Sequence, residues 1–222
     1  MERETLYLLL VLILLCISFV SPYVLYRRMV RIVNKKHDFN LPKQMVANKR
    51  SDVIASETRV LTGADRVTVI RFHNGSEFLP NNPIWKITSG SQMKADGVSY
   101  EDIQDVLVSR IPAIIDPVIT GETDYDGVSI PESCKRCIRK LCQERSARTV
   151  KFQVSEMTGY SKMFLQKRGT ETAYIATLNS TQGKIFGLLL VEFSDKKEGT
   201  KEEEKTVKII CESTEKLAFI FD

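Results

Sequence analysis

The chain has 222 residues, a net charge of +4 and five cysteines. Hydrophobic residues make up 43% and charged residues 27%, which is the balance of a globular protein and excludes a disordered one. The charge is too small to indicate nucleic-acid binding, and the cysteines are too few for a disulfide scaffold. The length predicts one domain of ordinary size with additional segments.

An uncharged apolar segment lies near the amino terminus. Residues 5–26 contain no charged residue, and about 20 apolar helical residues span a bilayer core of roughly 30 Å. The four residues before it hold two acids and one base, which is the wrong bias for a cleaved signal peptide. We expect residues 1–26 to form a short tail and a single transmembrane helix that contacts the lipid bilayer through residues 5–26.

A basic cluster follows the predicted span. Five lysines and arginines precede the first acid, Asp38, within a juxtamembrane linker at residues 27–41. Basic residues resist translocation, so we expect a single-pass membrane protein with its carboxy-terminal domain in the cytoplasm. The cluster either only sets this topology or also contacts anionic lipid headgroups. Cytoplasmic thiols are reduced, which argues against structural disulfides.

The first half of the remaining chain begins with a helix. Val46, Val53 and Val60 recur every seven residues and form one apolar stripe on a helix of about 20 residues, which Gly63 ends. Alternating β-branched residues predict a strand over residues 66–72, ended by Asn74-Gly75, and a second strand covers residues 84–88. Helical spacing predicts a helix over residues 100–119. Pro112 should bend it and Pro117 should end it.

The second half predicts a short strand at residues 127–130 and a basic helix at residues 134–145. A strand at residues 149–154 is followed by a hairpin with arms at residues 172–178 and 184–193. The run Leu188–Val191 indicates a central strand that is covered on both faces. The last helix has one apolar face, formed by Val207, Ile210, Cys211, Thr214, Leu217 and Phe221.

This order of elements predicts an α+β domain in which helices pack on an antiparallel sheet. Residues 42–222 resemble a GAF domain, most specifically in the segments Arg71–Gly75 and Gly187–Phe193. The resemblance implies a GAF-like central antiparallel sheet with the first and last helices on one face. It also implies small helices and loops on the other face, where they wall a ligand pocket. The chain is similar as well to uncharacterised, membrane-anchored GAF-like proteins of tailed bacteriophages.

Two ligand classes of GAF domains are not carried over to this chain. The N-K-x-n-F motif of the cyclic-nucleotide binders has no match, because residues 151–156 depart from it. The Cys-His pair that attaches a bilin is also missing, since no cysteine here precedes a histidine. The resemblance therefore predicts a pocket without naming its ligand.

The predicted strand end and its neighbour supply the candidate ligand-binding residues Arg71, His73, Asn74 and Trp85. Backbone beside a glycine turn allows close approach of a ligand, and imidazole offers a donor and an acceptor near neutral pH. In the alternative interpretation His73 and Asn74 bond to the local backbone of a turn, and Trp85, the single tryptophan, is a core residue.

Three cysteines lie within nine residues, at Cys134, Cys137 and Cys142. A C-x2-C spacing can chelate zinc, with a fourth ligand from elsewhere in the chain. The neighbouring basic residues would stabilise a thiolate, so thiol-redox chemistry is a second option. The third is that these thiols have no chemical role. On a regular helix Cys142 lies about 140° from Cys137, so a metal site requires a turn at residues 134–137.

No catalytic motif is present: the sequence has no G-x-S-x-G, P-loop or H-E-x-x-H pattern. We therefore expect a binding module and not an enzyme, with thiol oxidoreductase activity as the open exception. The first hypothesis is a membrane-anchored sensory or regulatory module that binds a small molecule or a protein. With no output domain expected after residue 222, it would act through an unknown partner or as a homodimer. The alternatives are an interaction protein with a closed pocket and a zinc-binding or thiol-redox protein.

Overall fold

The computed structural model describes residues 23, 24, 26, 27, 41–79, 82–99, 101–132, 147–180, 183–195 and 200–221. The chain divides into two compact units, Met1–Gln44 and Met45–Asp222. Before Leu41, the described residues of the first unit are Tyr23, Val24, Tyr26 and Arg27, and all four are helical. Within the described residues, no helix combines the length and the apolar character needed to cross a bilayer. The predicted span lies outside them except for three residues.

From Leu41 onwards, the described residues form four α-helices and seven strands, besides two short 3-10 turns. The helices are α1 (Leu41–Thr62), α2 (Pro112–Thr120), α3 (Gly159–Lys167) and α4 (Thr200–Phe221). The strands are β1 (Arg66–Leu79), β2 (Asn82–Lys94), β3 (Val106–Leu107), β4 (Val128–Ser129), β5 (Thr149–Gln153), β6 (Thr172–Asn179) and β7 (Ile185–Phe193).

The strands form one antiparallel sheet in the order β3-β2-β1-β7-β6-β5-β4. The hairpin prediction is confirmed, and β7 lies at the centre of the sheet, as the Leu188–Val191 run indicated. Gly187 allows β7 to approach β1 closely, because a Cβ at this position would collide with the backbone carbonyl of Ile70. Successive residues of β6 and β7 point to opposite faces, and both faces are buried.

One face of the sheet, which we call the helix face, is covered by α1 and α4. Its core joins residues of both helices to alternate residues of the central strands; these are Ile54, Ala55, Val67, Val69, Tyr174, Ala176, Leu189, Val191, Phe193, Val207, Ile210 and Leu217. The predicted apolar face of α4 is confirmed, because Val207, Ile210 and Leu217 are fully buried.

The apolar stripe of α1 does not pack on this face. Val46, Val53 and Val60 are 52%, 53% and 64% exposed. The buried side of α1 carries Ser51 and Thr58 beside Ala55. Ser51 accepts a hydrogen bond from Ser91 at 3.0 Å. The heptad spacing therefore predicted the helix correctly, but small and hydroxyl-bearing residues turn its opposite side to the sheet.

The other face, which we call the loop face, is covered by α2, α3 and the irregular segments between strands. Its core is mainly aliphatic, with Ile70, Ile87, Ile175, Leu188 and Leu190 from the sheet. The covering elements contribute Ile103, Ile111, Ile114, Ile115, Val118, Met157 and Leu165.

The first two strands are longer than predicted. The Asn74-Gly75 pair is not a turn, because Asn74 pairs with Trp85 and Ser76 with Ile84, so that Gly75 is the extra residue of a β-bulge. A second bulge places Gly90 opposite the junction of Val69 and Ile70. Pairing across bulges extends β1 to Leu79, where composition alone indicated a break.

The helix predicted over residues 100–119 is also corrected. Residues 101–105 are irregular, residues 106–110 form β3 and a 3-10 turn, and only Pro112–Thr120 are α-helical. Pro112 occupies the first turn, where its missing N–H costs nothing. Pro117 lies inside α2 and does not end it; Gly121, with φ of 83°, caps the helix.

Helix α3 had no counterpart in the sequence prediction, and the basic helix predicted at residues 134–145 lies outside the described residues.

Candidate functional site

The loop face is the side of the sheet where the sequence predicted a ligand pocket. Its centre is filled, because Ile87, Ile111, Ile114 and Ile115 are at most 2% exposed and pack against the sheet. Aliphatic side chains at native packing density leave no room for a large ligand here. The polar groups of this face lie on either side of the aliphatic centre.

One of these polar regions is a buried ionic cluster of Arg66, Arg168 and Glu192. Their side chains are 1–2% exposed. Arg168 donates from Nε and Nη2 to the two carboxylate oxygens of Glu192, both at 2.7 Å. Arg66 Nη1 lies 3.4 Å from Oε1 of Glu192, and Thr170 donates to the same oxygen at 2.7 Å. Glu192 is thus the counter-charge of two guanidinium groups.

The same guanidinium groups fasten the covering segment to the sheet. Arg66 Nη2 donates to the carbonyl of Ser99 at 2.7 Å, and Arg168 Nη1 donates to the carbonyl of Glu101 at 2.5 Å. Most donors are therefore used within the protein. Among the described residues, Arg66 Nε and Gln92 Oε1 are the buried atoms of this region without a partner. The cluster is a structural clamp, because its charged atoms face one another and the backbone.

The other polar region is a half-open cavity of about 180 Å³. Its walls come from the end of α2, the start of β5 and the β6–β7 hairpin, through Val118, Ile119, Arg148, Thr177, Asn179, Gly183 and Ile185. It lies on the loop face, since Val118 belongs to the aliphatic core of that face. Among the described residues, Arg148 is the single ionisable side chain of its lining.

Arg148 is held in place at two points. Its backbone N–H donates to Thr177 Oγ1 at 3.0 Å, and Nη1 donates to the carbonyl of Ile119 at 2.7 Å. The guanidinium passes over Gly121, where a Cβ would come within 2.8 Å of Cζ and Nη1. A glycine is therefore required at position 121 for two reasons: the backbone has a positive φ, and the Arg148 side chain occupies the place of a Cβ.

Arg71 lies on the helix face and not in the cavity. Its Nη2 donates to Asn48 Oδ1 of α1 at 2.7 Å, and its Cζ lies 4.2 Å from the ring centroid of Phe221 in α4. Burial lowers the pKa of Arg71 below its ordinary value. Gly90 gives this side chain space, since a Cβ there would lie 3.1 Å from Nε. Arg71 thus ties β1 to both long helices, through a hydrogen bond and a cation–π contact.

His73 of β1 contacts Thr88 of the neighbouring strand β2 and the segment that precedes β3. Its Nε2 lies 2.9 Å from Thr88 Oγ1 and 3.3 Å from Asp105 Oδ1. The N–H of Asp105, a residue with φ of 53°, donates to the same Thr88 oxygen at 3.1 Å. The turn-capping interpretation of His73 is wrong, because the chain continues as a strand. The polar contacts of the His73 side chain attach the segment before β3 to the sheet.

Trp85 is 50% exposed, so its interpretation as a core residue is wrong. It pairs with Asn74 across the β1–β2 hairpin, and the side chain of Asn74 lies outside the described part of the structure. Arg71 and His73 share the helix face, whereas Trp85 alternates with Lys86 to the opposite face. The structure therefore does not bring the four predicted residues together around one cavity, and a ligand role for them stays a prediction.

The cysteine prediction also stays open, because Cys134, Cys137 and Cys142 lie outside the described residues. Cys211 is half-buried in α4 on the helix face. Within the described part of the chain, no three His, Cys, Asp or Glu side chains are grouped as a metal site would require.

Solved structures of GAF domains resemble this chain. The blue-light absorbing form of the Thermosynechococcus elongatus PixJ GAF domain is 14% identical, with a TM-score of 0.51 over 82% of this chain and 91% of that domain. A cyanobacteriochrome receptor PixJ structure is 14% identical, with a TM-score of 0.48 over 79% and 97%. The phycoerythrobilin-bound GAF domain of a cyanobacterial phytochrome is 15% identical, with a TM-score of 0.46 over 82% and 91%.

No protein-family model and no curated protein sequence matches the chain. The likeness to the first PixJ structure shows a GAF-like fold, and this confirms the fold predicted from the order of elements. The Glu192 clamp and the Arg148 cavity were missed by sequence reasoning. A single acid within the apolar run 185–193 is a signal of a buried ion pair, and it could have been used. Arg148 gives no such signal, because only the hairpin packing places it at a cavity.

Proposed function

We propose that this chain is a sensory or regulatory module in which a GAF-like domain binds a small molecule on its loop face. The observation that carries the proposal is the half-open cavity beside α2, which combines apolar walls with one guanidinium group. A concave site in which aliphatic side chains stand beside a few placed polar groups is the usual form of a small-molecule site. The pigment of the bilin-bound neighbour is not part of the proposal, because a linear tetrapyrrole is too large for this cavity.

Self-association is the proposed route from the domain to its output. This proposal is supported by the exposed stripe of Val46, Val53 and Val60 on α1, because valines that recur every seven residues suit a contact between two helices. The anchor proposed for residues 5–26 would concentrate the chain in the plane of a membrane and favour a homodimer. In this arrangement the domain faces the cytoplasm, since the five basic residues follow the span.

A second candidate is an interaction protein whose pocket has closed. The aliphatic centre of the loop face favours it, because Ile111, Ile114 and Ile115 occupy the space between sheet and covering helices. In this case the domain presents a fixed surface, and the cavity beside α2 has no physiological occupant.

Mass spectrometry of small molecules that copurify with the full chain in mild detergent separates these candidates. The matched variants are Ile185→Trp, which fills the cavity, and Met163→Trp, which enlarges an exposed apolar residue on α3. A ligand that is present in the wild type and in Met163→Trp but lost from Ile185→Trp supports the first candidate. A well-folded chain that remains empty across metabolite screens supports the second.

The proposed topology has its own test. A reporter fused after residue 222 should be active only in its cytoplasmic form. Activity of a reporter that works only after export would overturn the cytoplasmic placement and leave the ligand-binding proposal untouched.

A further inference from the structure

The size of the cavity beside α2 limits its occupant. A dry cavity of roughly 150 Å³ lined by aliphatic and aromatic side chains binds benzene. The volume here is about 180 Å³, and the mouth is half open. The cavity therefore suits one small ring or a branched chain of similar size, together with one polar group.

The apolar wall of the cavity consists of Val118, Ile119 and Ile185. Val118 is fully buried, whereas Ile119 and Ile185 are 43% and 37% exposed. Large exposed aliphatic side chains beside an opening favour an apolar occupant, because it would cover them from water. One side of the occupant should consequently be hydrocarbon.

The polar wall points to an anion. Among the described residues, the carbonyl of Ile119 is the single partner of the Arg148 guanidinium group. A guanidinium carries five N–H donors, so most remain available, and its planar fork matches a carboxylate. The backbone bond to Thr177 fixes the position of Arg148, and the Nη1 bond to Ile119 fixes the direction of its guanidinium group before any ligand arrives.

Thr177 adds a hydroxyl group to the lining of the same cavity. The residue is 2% exposed, and its Oγ1 accepts the backbone N–H of Arg148. One of the two lone pairs of the hydroxyl oxygen is used in this bond, and the hydroxyl can give its proton to an acceptor in the cavity. Because the neighbouring guanidinium group can only donate, a group that accepts hydrogen bonds fits this wall better than one that only donates them.

The charge balance separates a carboxylate from a phosphate. One guanidinium lines the cavity, and none of the other described lining residues is basic. A monoanion is neutralised by this single charge, whereas a phosphate dianion would retain one uncompensated charge beside aliphatic side chains.

We propose that the cavity beside α2 selects a small monocarboxylic acid with an aromatic or branched aliphatic body. The carboxylate lies on the Arg148 guanidinium and the Thr177 hydroxyl, and the hydrocarbon lies on Val118, Ile119 and Ile185. This inference rests on the proposed function, because it assigns the ligand class of the same site.

The test titrates the full chain in mild detergent with four probes and follows binding by ligand-observed NMR. Benzoate and 3-methylbutanoate represent the proposed class, benzamide is the neutral isostere of benzoate, and inorganic phosphate is the dianion. We expect both carboxylates to bind about 10- to 100-fold more tightly than benzamide, the difference made by charged hydrogen bonds. Phosphate should not compete with them.

Variants of the cavity test whether Arg148 is the residue that binds the carboxylate. Arg148→Gln should weaken benzoate binding by the same factor and leave benzamide binding unchanged, and Arg148→Lys should give an intermediate loss. Arg110→Gln removes an exposed arginine elsewhere and is the matched control. Ile185→Trp should abolish binding of both ring probes while keeping Arg148, which covers the case that Arg148→Gln is unstable.

The outcomes distinguish the two levels of the proposal. If benzamide binds as tightly as benzoate, or if phosphate displaces benzoate, the carboxylate assignment is wrong while the binding module stands. If neither carboxylates nor benzamide bind the wild type at millimolar concentration, the carboxylate assignment is overturned. The cavity beside α2 then no longer supports the proposed small-molecule binding function.

Discussion

The two faces of the sheet are held by different interactions. On the helix face, two long helices of 22 residues each pack through apolar and hydroxyl-bearing side chains. On the loop face, two helices of nine residues and irregular segments cover the sheet, and a buried ionic cluster fastens them. Short elements bury too little apolar surface to hold themselves in place. The clamp of Arg66, Arg168 and Glu192 supplies the missing attachment.

The difference indicates where the domain can change its state. On the helix face, Arg71 of β1 contacts both α1 and α4, so a shift of one long helix should displace the other. The loop face holds a cavity in segments that are anchored at a few points. We expect a ligand to bind on the weakly anchored loop face, and we expect its effect to reach other molecules through contacts of the exposed side of α1.

The largest expected effect follows from removing the counter-charge on the loop face. Glu192→Gln leaves Arg66 and Arg168 without a carboxylate in a nearly fully buried site. Breaking a buried ion pair by removing one partner costs about 3–5 kcal/mol. Urea unfolding should show this loss, and hydrogen exchange should show early opening of residues 101–104.

The control for this prediction is Lys167→Gln. It removes the ion pair of Lys167 with Glu101, in which the lysine side chain is 79% exposed, and exposed pairs contribute at most about 1 kcal/mol. If the two variants lose similar stability, the clamp does not hold the loop face and the contrast between the faces disappears.

The next effect concerns the helix face. Leu217 is fully buried in α4 against the sheet, and Leu217→Ala should lower the free energy of unfolding by about 2–5 kcal/mol. Phe219, two residues further along the same helix, is 70% exposed, and Phe219→Ala should change stability by no more than about 0.5 kcal/mol. If both variants lose the same free energy of unfolding in urea, α4 does not pack on the sheet through the side that carries Leu217.

The stripe on α1 predicts an effect on assembly and not on folding. Replacing Val46, Val53 and Val60 by lysine should leave the free energy of unfolding within about 0.5 kcal/mol of the wild type, since all three are exposed. The same variant should be monomeric in sedimentation and in cross-linking of membranes. Met163→Lys, which changes an exposed residue on α3, should remain dimeric. A wild type that is only monomeric at high membrane density argues against the stripe as an interface.

The two long helices show what the sequence could and could not predict. Periodicity predicted both, because alternation of apolar residues at helical spacing depends on local order alone. For α4 it also predicted the buried side. For α1 it did not, because Ser51, Ala55 and Thr58 bury a hydroxyl-rich side whose hydrogen bonds become visible only in the fold. The Thr58 hydroxyl lies 2.7 Å both from the carbonyl oxygen of Ile54 and from Oγ of Ser213 in α4.

The candidate site was less predictable than the fold. Arg71 and His73 were singled out from their position near an Asn-Gly pair, but β-bulges carry the strand past this pair, and both residues fasten packed elements. The cavity depends on how the β6–β7 hairpin, α2 and the start of β5 meet, which involves residues from Val118 to Ile185. Contacts of such sequence separation leave no local pattern to detect.

The smallest effect concerns alkaline pH and again separates the faces. Burial, followed by the charges of Glu203 and Glu202, raises the pKa of Tyr174 well above its ordinary value near 10. The ring lies against Phe193 on the helix face, with Lys151 Nζ 5.9 Å from its centroid. The folded protein thus keeps a proton that the unfolded chain loses above about pH 10, so stability is fully present below that pH and falls as the pH rises through it. Urea unfolding at pH 8 and pH 11 should show a smaller loss for Tyr174→Phe than for the wild type, while between pH 6 and pH 8 the two should change in parallel. A wild-type loss that Tyr174→Phe does not reduce would mean that this ring ionises as readily in the folded domain as in the unfolded chain, and that α4 does not seal it from water.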